Sequence, residues 1–192
     1  MMQNWGKSLA EVLKSEGLFS DDPCDLGNRL PDGRPGCTNL GITQRAWELY
    51  TGRVVTHDEM RAITVPMAGT FYRTKYWYPI KGDALPTGVD YLTFDLAVNG
   101  GPARAAMTLQ QALGITADGV IGMQTTNTAS LADPVELVKK FSDVKRAFYK
   151  SLNNPTYERG WLNRTDATEA TALAMLEAGA TATSPQDHPS SE

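Results

Sequence analysis

The stretch WGKSLAEVLKSEG, residues 5–17, decides how the chain begins to fold. Its large apolar residues recur at the three- to four-residue spacing of an amphipathic helix: Trp5, Leu9, Val12 and Leu13. Glu16 extends the stripe of Leu9 and Val12 by one turn, and Gly17 is expected to end the helix in the left-handed conformation. The sequence therefore predicts a helix whose last turn carries a carboxyl group on the side that packs.

Glu16 has the environment expected of a proton donor. Partial desolvation and the negative end of the helix dipole both disfavour its ionised form, so we expect its pKa to be raised. A raised pKa suits a general acid that works near neutral pH. The alternative is a solvated glutamate at a frayed helix end.

A long polar segment follows this helix. Residues 19–37 are rich in glycine, proline, aspartate and asparagine, which argues against a regular element. Thr43 then has the position of the N-cap of a helix that carries Ala46, Trp47 and Tyr50. One acid on a helix, facing a loop with further acids and hydroxyls, is the arrangement expected for glycoside hydrolysis.

The order of several short motifs resembles glycoside hydrolase family 108, the N-acetylmuramidases of phage endolysins and related bacterial proteins. The resemblance begins with Glu16-Gly17, Asp25 and the stretch TNLGIT at 38–43. It continues through FYR at 71–73, YW at 76–77 and DLAVNGG at 95–101. The stretches LQQALG at 109–114 and DGVIGMQT at 118–125 are similar to the peptidoglycan-binding domain that accompanies this family.

The resemblance implies three catalytic residues. Glu16 would be the proton donor, while Asp25 and Thr38 would position water or stabilise an oxocarbenium-like transition state. The chain departs from the family pattern in two places. Leu18 replaces a second glycine after Glu16-Gly17, and residues 28–36 lengthen the connection between Asp25 and Thr38.

The resemblance also implies a set of substrate-binding residues. Asn39 follows the catalytic threonine, and Tyr76 and Trp77 are candidates to stack on sugar rings, although an aromatic cluster at helical spacing also fits a core. Asp95 and Asn99 lie four residues apart on an apolar helix that would pass along the cleft floor. They fit either substrate hydrogen bonding or an internal polar pair.

The predicted fold is mainly α, a lysozyme-like helical fold with a small helical C-terminal region packed against it. We expect a muramidase domain at 1–95, a peptidoglycan-binding-like helical domain at 96–178 and a disordered tail at 179–192. Local signals mark several helix starts: the capping box at Thr56–Glu59, Pro66 opening a helix to about Trp77, Pro102, and Asp133-Pro134. Asp118-Gly119 predicts a tight turn.

Composition limits the partners. With 18 basic and 22 acidic residues the net charge is −4, which gives no electrostatic footprint for nucleic acid or anionic membranes. We expect a monomer that binds peptidoglycan glycan strands and does not insert stably into a membrane. The start lacks an apolar signal core, so we expect the protein to stay in the host cytoplasm until a holin or another export route releases it to the wall.

Cys24 and Cys37 bracket the lengthened loop. We expect two reduced thiols, as in a cytoplasmic protein, and the alternative is a disulfide that closes the loop and stabilises it by roughly 3 kcal/mol. His57 and His188 do not stand at ligand spacing to the cysteines, so we expect no metal and no cofactor.

Two other function classes remain open at the level of sequence. A non-catalytic wall-binding or secretion-associated protein would keep the same fold, although the presence of Glu16, Asp25 and Thr38 argues against it. An amidase or peptidase would need zinc ligands or a Cys/His pair with an orienting residue, and the sequence offers neither set.

Overall fold

The computed structural model describes residues 4–182, apart from the side chains of Leu26, Ala180 and Ala182. These residues form nine α-helices and one short β-hairpin, so the protein is mainly α-helical as predicted. The helices are α1 Asn4–Ser15, α2 Gln44–Thr51, α3 His57–Arg61, α4 Val65–Tyr72, α5 Val89–Gly100, α6 Pro102–Ala112, α7 Met123–Leu131, α8 Pro134–Ser151 and α9 Pro155–Ala182. The hairpin pairs β1 (Thr38–Asn39) with β2 (Ile42–Thr43).

The chain divides into two compact units. We call Gly6–Tyr78 the hairpin unit, and residues 4–5 together with 79–182 the helical unit. This division lies earlier in the chain than the boundary predicted between residues 95 and 96. The reason is that α5, which the predicted boundary would cut, is buried from Val89 to Ala97 and packs with α6, α8 and α9.

In the hairpin unit, α1 carries the predicted apolar stripe but ends differently from the prediction. Val12 is buried, and the Leu9 side chain lies so close to α4 that a Cβ on Gly69 would be 3.0 Å from it. However, α1 ends at Ser15, and Gly17 does not adopt a left-handed conformation. The predicted glycine cap is therefore wrong, and Glu16 lies just beyond the helix.

An aromatic cluster forms the core of the hairpin unit. The ring of Phe71 on α4 lies 5.9 Å from Trp47 and 5.3 Å from Tyr50, both on α2, and 5.6 Å from Tyr72. The predicted N-cap is confirmed, since Thr43 accepts a hydrogen bond from the amide of Ala46. These contacts fix α2 and α4 behind the hairpin.

The segment before the hairpin is largely irregular, as predicted, with one 3-10 turn at Leu26–Asn28. Its cysteines do not bond to each other: Cys24 is an exposed free thiol and Cys37 a buried one. The Cys37 thiol donates to the side-chain oxygen of Gln44 at 3.4 Å, and burial raises its pKa to about 11. The loop is therefore held by packing and hydrogen bonds.

Two buried side chains, Asp95 and Lys145, and the half-buried Arg164 form an ion-pair network inside the helical unit. Asp95 of α5 accepts from Lys145 of α8 at 3.0 Å and from Arg164 of α9 at 2.7 Å. The side chains of Asp95 and Lys145 are 2% and 1% exposed. A buried pair of this kind costs desolvation and is stable only because its geometry is good.

The local helix signals of this unit are confirmed. Pro102 opens α6, and Asp133 caps α8 by accepting from the amide of Glu136. The turn at Asp118-Gly119 is present, and the buried amide of Gln110 donates to Asp118 at 2.7 Å. The chain predicted to be disordered from residue 179 is helical to Ala182, and the rest of that segment, 183–192, lies outside the described residues.

No helix among residues 4–182 combines the length and the apolar character needed to cross a membrane.

Candidate functional site

The candidate site is built in the hairpin unit around Glu16. The side chain of Glu16 is half-buried at the exit of α1 and lies against the turn that joins β1 to β2. A Cβ atom built on Gly41 would lie 2.6 Å from a carboxylate oxygen of Glu16 and 2.7 Å from its Cγ. The carboxyl group therefore occupies the space that the missing side chain of Gly41 leaves open.

The hairpin turn has an unusual backbone for one of its residues. Both central residues have positive φ, 50° at Leu40 and 73° at Gly41, as in a type I′ turn. Glycine adopts this conformation without cost, whereas leucine is strained by roughly 1–2 kcal/mol. Strain of this kind persists only where neighbouring groups hold it, and it is often found at functional sites.

Tyr72 holds the strained turn. Its hydroxyl donates to the backbone carbonyl of Leu40 at 2.9 Å, and a Cβ on Gly41 would lie 2.5 Å from the same hydroxyl oxygen. Burial raises the pKa of the Tyr72 phenol well above its ordinary value, and the nearby charge of Glu16 raises it further. The Tyr72 hydroxyl and the Glu16 carboxyl therefore meet at one point of the turn.

Tyr76 lies beside Tyr72, with ring centroids 5.8 Å apart. It belongs to a π-helical turn, Arg73–Trp77, that continues α4 and confirms the predicted extension of this helix to about Trp77. Burial and then the charge of Glu16 raise the pKa of the Tyr76 phenol. The half-buried Tyr76 ring keeps its place as a candidate for sugar stacking. π-Helical turns are frequent at functional sites.

Trp77 differs from Tyr76 in its burial. Its side chain is fully buried, with 0% of its surface exposed. A ring with no accessible face belongs to the core, which is the alternative that the aromatic spacing left open for Trp77. Nothing in the local sequence distinguishes Tyr76 from Trp77, but the π-helical turn directs Trp77 into the core.

Thr38 lies on the accessible side of the hairpin. Its half-exposed hydroxyl donates to the side-chain oxygen of Asn28 at 2.9 Å. Asn28 is buried, and its amide nitrogen donates to the carbonyls of Ser20 and Asp22. Because the proton of the Thr38 hydroxyl goes to Asn28, the Thr38 oxygen can accept a hydrogen bond from water.

Asp25 lies in the loop and is exposed. One of its carboxylate oxygens accepts from the amide of Gly27 at 2.8 Å, which is a local turn of the kind aspartate favours. A Cβ on Gly27 would lie 3.5 Å from the methyl group of Thr43, so this turn packs against β2. The catalytic role of Asp25 stays a prediction.

Asn39 points away from the accessible side of β1, because neighbouring residues of a strand face opposite sides. It is buried, and its amide donates to the carbonyl of Met60 at 2.8 Å. The contact joins the hairpin to α3. The structure therefore gives Asn39 a supporting role, and its binding of substrate stays a prediction.

Asp95 and Asn99 belong to the helical unit. The carboxylate of Asp95 pairs with Lys145 and Arg164, and the residue is 1% exposed, which agrees with the second of the two interpretations, an internal polar pair. Asn99 is exposed, and its amide donates to the backbone carbonyl of Asp95 at 2.7 Å. This bond lies within α5. The substrate contact of Asn99 stays a prediction.

Within residues 4–182, no three histidine, cysteine, aspartate or glutamate side chains come together as a metal site would require. The side chains described above for the candidate site carry carboxyl, hydroxyl and phenol groups.

Three residues that shape the site were not among the predicted site residues: Gly41, Tyr72 and Asn28. Gly41 stands inside the TNLGIT stretch, and its position between Leu40 and a β-branched residue is a signal for a tight hairpin. The contact of Tyr72 with Leu40 joins residues that are far apart in the sequence. The contact of Asn28 with Thr38 starts from an irregular loop. No local pattern marks them.

Comparison with protein families assigns the protein to a class. Residues 9–101 match the family described as Glycosyl hydrolase 108, and residues 104–166 match the family described as a predicted peptidoglycan domain. The chain belongs to the Glycosyl hydrolase 108 family. It is a glycoside hydrolase of the muramidase type that acts on peptidoglycan.

A solved structure supports the same assignment. The structure of SagA from Brucella abortus is similar to this chain with a TM-score of 0.77 and 34% sequence identity. The match covers 91% of this chain and 97% of that chain. No curated protein matches the sequence significantly.

Proposed function

We propose that the protein hydrolyses the β-1,4 bond between N-acetylmuramic acid and N-acetylglucosamine, with Glu16 as the general acid. The observation that carries this proposal is the position of the Glu16 side chain, which is half-buried against Gly41 and near two tyrosines. A carboxylic acid in such surroundings can donate its proton to the glycosidic oxygen as the bond breaks. Family membership supports the reaction class.

In this proposal a second group assists the departure of the leaving sugar. Thr38 and Asp25 supply the two chemistries that this step needs. Thr38 has a hydroxyl whose oxygen can accept from water, and Asp25 has an exposed carboxylate that can stabilise positive charge on the sugar or activate water. Replacement of Thr38 by serine keeps the hydroxyl and should keep most activity. Replacement by valine removes the hydroxyl at nearly the same volume and should lower kcat by tenfold or more.

The bond specificity is tested by the sugar left at the reducing end. Purified peptidoglycan is digested, the products are reduced with borohydride, and the sugar alcohols are identified after acid hydrolysis. Reduced N-acetylmuramic acid is the expected product. Reduced N-acetylglucosamine would show a glucosaminidase, and new amino termini without reducing ends would show an amidase or peptidase.

We infer further that the enzyme serves host-cell lysis in the manner of phage endolysins, and that it leaves the cytoplasm through a holin or another export route. The support is the resemblance of its motifs to the endolysin members of the family. Co-expression with a holin tests this role. Wild-type protein should lyse the cells only when the holin is present, and E16Q should not. Intact cells with both proteins present would contradict the lytic role.

A further inference from the structure

The lengthened connection before Thr38 closes on itself. The amide of Gly36 donates to the carbonyl of Asn28 at 2.7 Å, and between these two residues Arg29 pairs with Pro35 in an antiparallel bridge. A Cβ on Gly36 would lie 3.0 Å from the same carbonyl oxygen, so the missing side chain permits this close approach. The added residues therefore bring the chain back to Asn28 just before it reaches Thr38.

The backbone of Thr38 is held from two sides. Its amide donates to the carbonyl of Ser20 at 2.8 Å, and its carbonyl accepts from the amide of Ser20 at 2.8 Å. On the other side it pairs with Thr43 in the hairpin. With the backbone fixed in this way, the direction of the Thr38 hydroxyl depends on the partner of its side chain.

That partner is the side chain of Asn28, which is 2% exposed. Its nitrogen donates to the backbone carbonyls of Asp22 at 3.0 Å and of Ser20 at 3.4 Å. Carbonyl oxygens only accept, so these two contacts determine where the amide nitrogen lies and leave the amide oxygen facing Thr38. The amide oxygen also only accepts, and at 2.9 Å it takes the single proton of the Thr38 hydroxyl.

We propose that Asn28 is a positioning residue for the reaction, which takes the hydroxyl proton of Thr38 and leaves its oxygen lone pairs as an acceptor for water. This inference rests on the proposed function, in which Thr38 assists the reaction. It adds that Thr38 acts by holding a water molecule and not by donating to the substrate, because its one proton is committed to Asn28. The backbone amide of Asn28 also donates to the carbonyl of Asp25 at 3.0 Å, so one residue joins both candidates for the second group.

A double-mutant cycle separates this role from a purely structural one. N28A removes the acceptor of the Thr38 proton, and T38V removes the hydroxyl itself. On soluble peptidoglycan fragments we expect N28A to lower kcat about tenfold with KM changed by less than about twofold. In the T38V background, N28A should cause almost no further loss of kcat. Equal fractional losses with and without the Thr38 hydroxyl would overturn the role of Asn28.

N4A is the matched control for the loss of a buried asparagine. Asn4 is 7% exposed, and its side-chain amide donates to Asp90 in the helical unit. N4A should therefore change the free energy of unfolding and leave kcat unchanged. A loss of kcat in N4A as large as that in N28A would show that the cycle reports stability, which would overturn the inference.

A second measurement needs neither activity nor a variant that folds. In labelled protein, the three-bond couplings of the Thr38 methyl carbon to its backbone nitrogen and carbonyl carbon report the χ1 angle. The wild type should show one rotamer, and folded N28A an average over several. Averaging in the wild type would overturn the inference, as would an unchanged single rotamer in N28A. If the rotamers behave as expected but T38V is as active as the wild type, the proposed function of Thr38 fails while its positioning by Asn28 stands.

Discussion

Gly41 and Glu16 share a single space: the carboxylate oxygen of Glu16 lies 2.6 Å from where a Cβ on Gly41 would be. Real Cβ atoms do not approach other atoms so closely, so a side chain at position 41 would displace the carboxyl. The glycine is required here for its lack of volume as well as for its positive φ of 73°. Gly41 thus determines the position of the Glu16 carboxyl group, although it takes no part in the proposed reaction.

G41A should therefore cost activity beyond its effect on folding. We expect kcat to fall about a hundredfold, since displacement of a catalytic group by about 1 Å has effects of this size. Gly52 is the matched control, with a φ of 72° and nothing within 4 Å of its Cβ position. G52A introduces the same backbone strain, so it should lose roughly 1 kcal/mol of unfolding free energy with kcat unchanged. Equal kcat losses in the two variants would refute the steric account.

Asp95 provides a prediction that separates stability from binding. D95N leaves the buried Lys145 ammonium without its carboxylate partner, so we expect a loss of roughly 3 kcal/mol or more of unfolding free energy, measured by urea unfolding. Burial lowers the pKa of Lys145, which shows the cost of holding this charge inside. D143N, which breaks an exposed pair with Arg146, should stay within about 1 kcal/mol.

The KM of folded D95N should match that of the wild type if Asp95 is a structural residue. A raised KM at unchanged stability would restore its predicted role in substrate binding.

Asp90 should make stability depend on pH in a particular direction. Burial raises its pKa from 3.8 to about 6, although Asn4 donates to both carboxylate oxygens. The native state then takes up the proton before the unfolded chain does, so this group's contribution to stability falls as pH rises from about 4 to about 6 and is flat above. The full cost at neutral pH is roughly 3 kcal/mol.

The measurement is the difference in unfolding free energy between D90N and the wild type across that pH range. The unfolding free energy of D90N minus that of the wild type should increase as the pH rises. A difference that does not change with pH would contradict the raised pKa.

The two cysteines should differ sharply in reactivity. Cys24 is exposed, whereas Cys37 is buried with a pKa raised to about 11. A thiol reagent added at pH 8 should modify one cysteine quickly in the native protein and both after denaturation. Mass spectrometry identifies the modified residue, which should be Cys24. No reaction before a reductant is added would instead indicate the disulfide alternative.

The sequence predicts best what depends on near neighbours. Caps at Thr43, Thr56 and Asp133 use a side chain and an amide three residues away, and each is present in the structure. Pro102 opens its helix for a similarly local reason. The misplaced cap at Gly17 shows the limit of this reasoning, because nothing in the local sequence distinguishes a glycine that must be left-handed from one that need not be.

The sequence does not show whether a candidate site residue is buried when a distant partner decides its position. Asp95 finds its cationic partners 50 and 69 residues later in the chain, so the sequence around it gives no sign of the ion pair. Asn39 and Trp77 lie beside site candidates, but strand alternation and the π-helical turn direct both side chains inward. Glu16 can be proposed from sequence because helix, acid and loop follow one another within a short stretch.

The central claim is that Glu16 is the acid of a peptidoglycan hydrolase, and the most direct test compares E16Q with E11Q on purified glycan strands. Glu11 lies on α1, the helix that precedes Glu16, and pairs with Lys14 at the surface, so E11Q makes the same chemical change away from the site. The rate of formation of reducing ends should fall at least a hundredfold in E16Q and stay near the wild-type value in E11Q. A folded E16Q that cleaves as fast as E11Q would show that another residue supplies the proton.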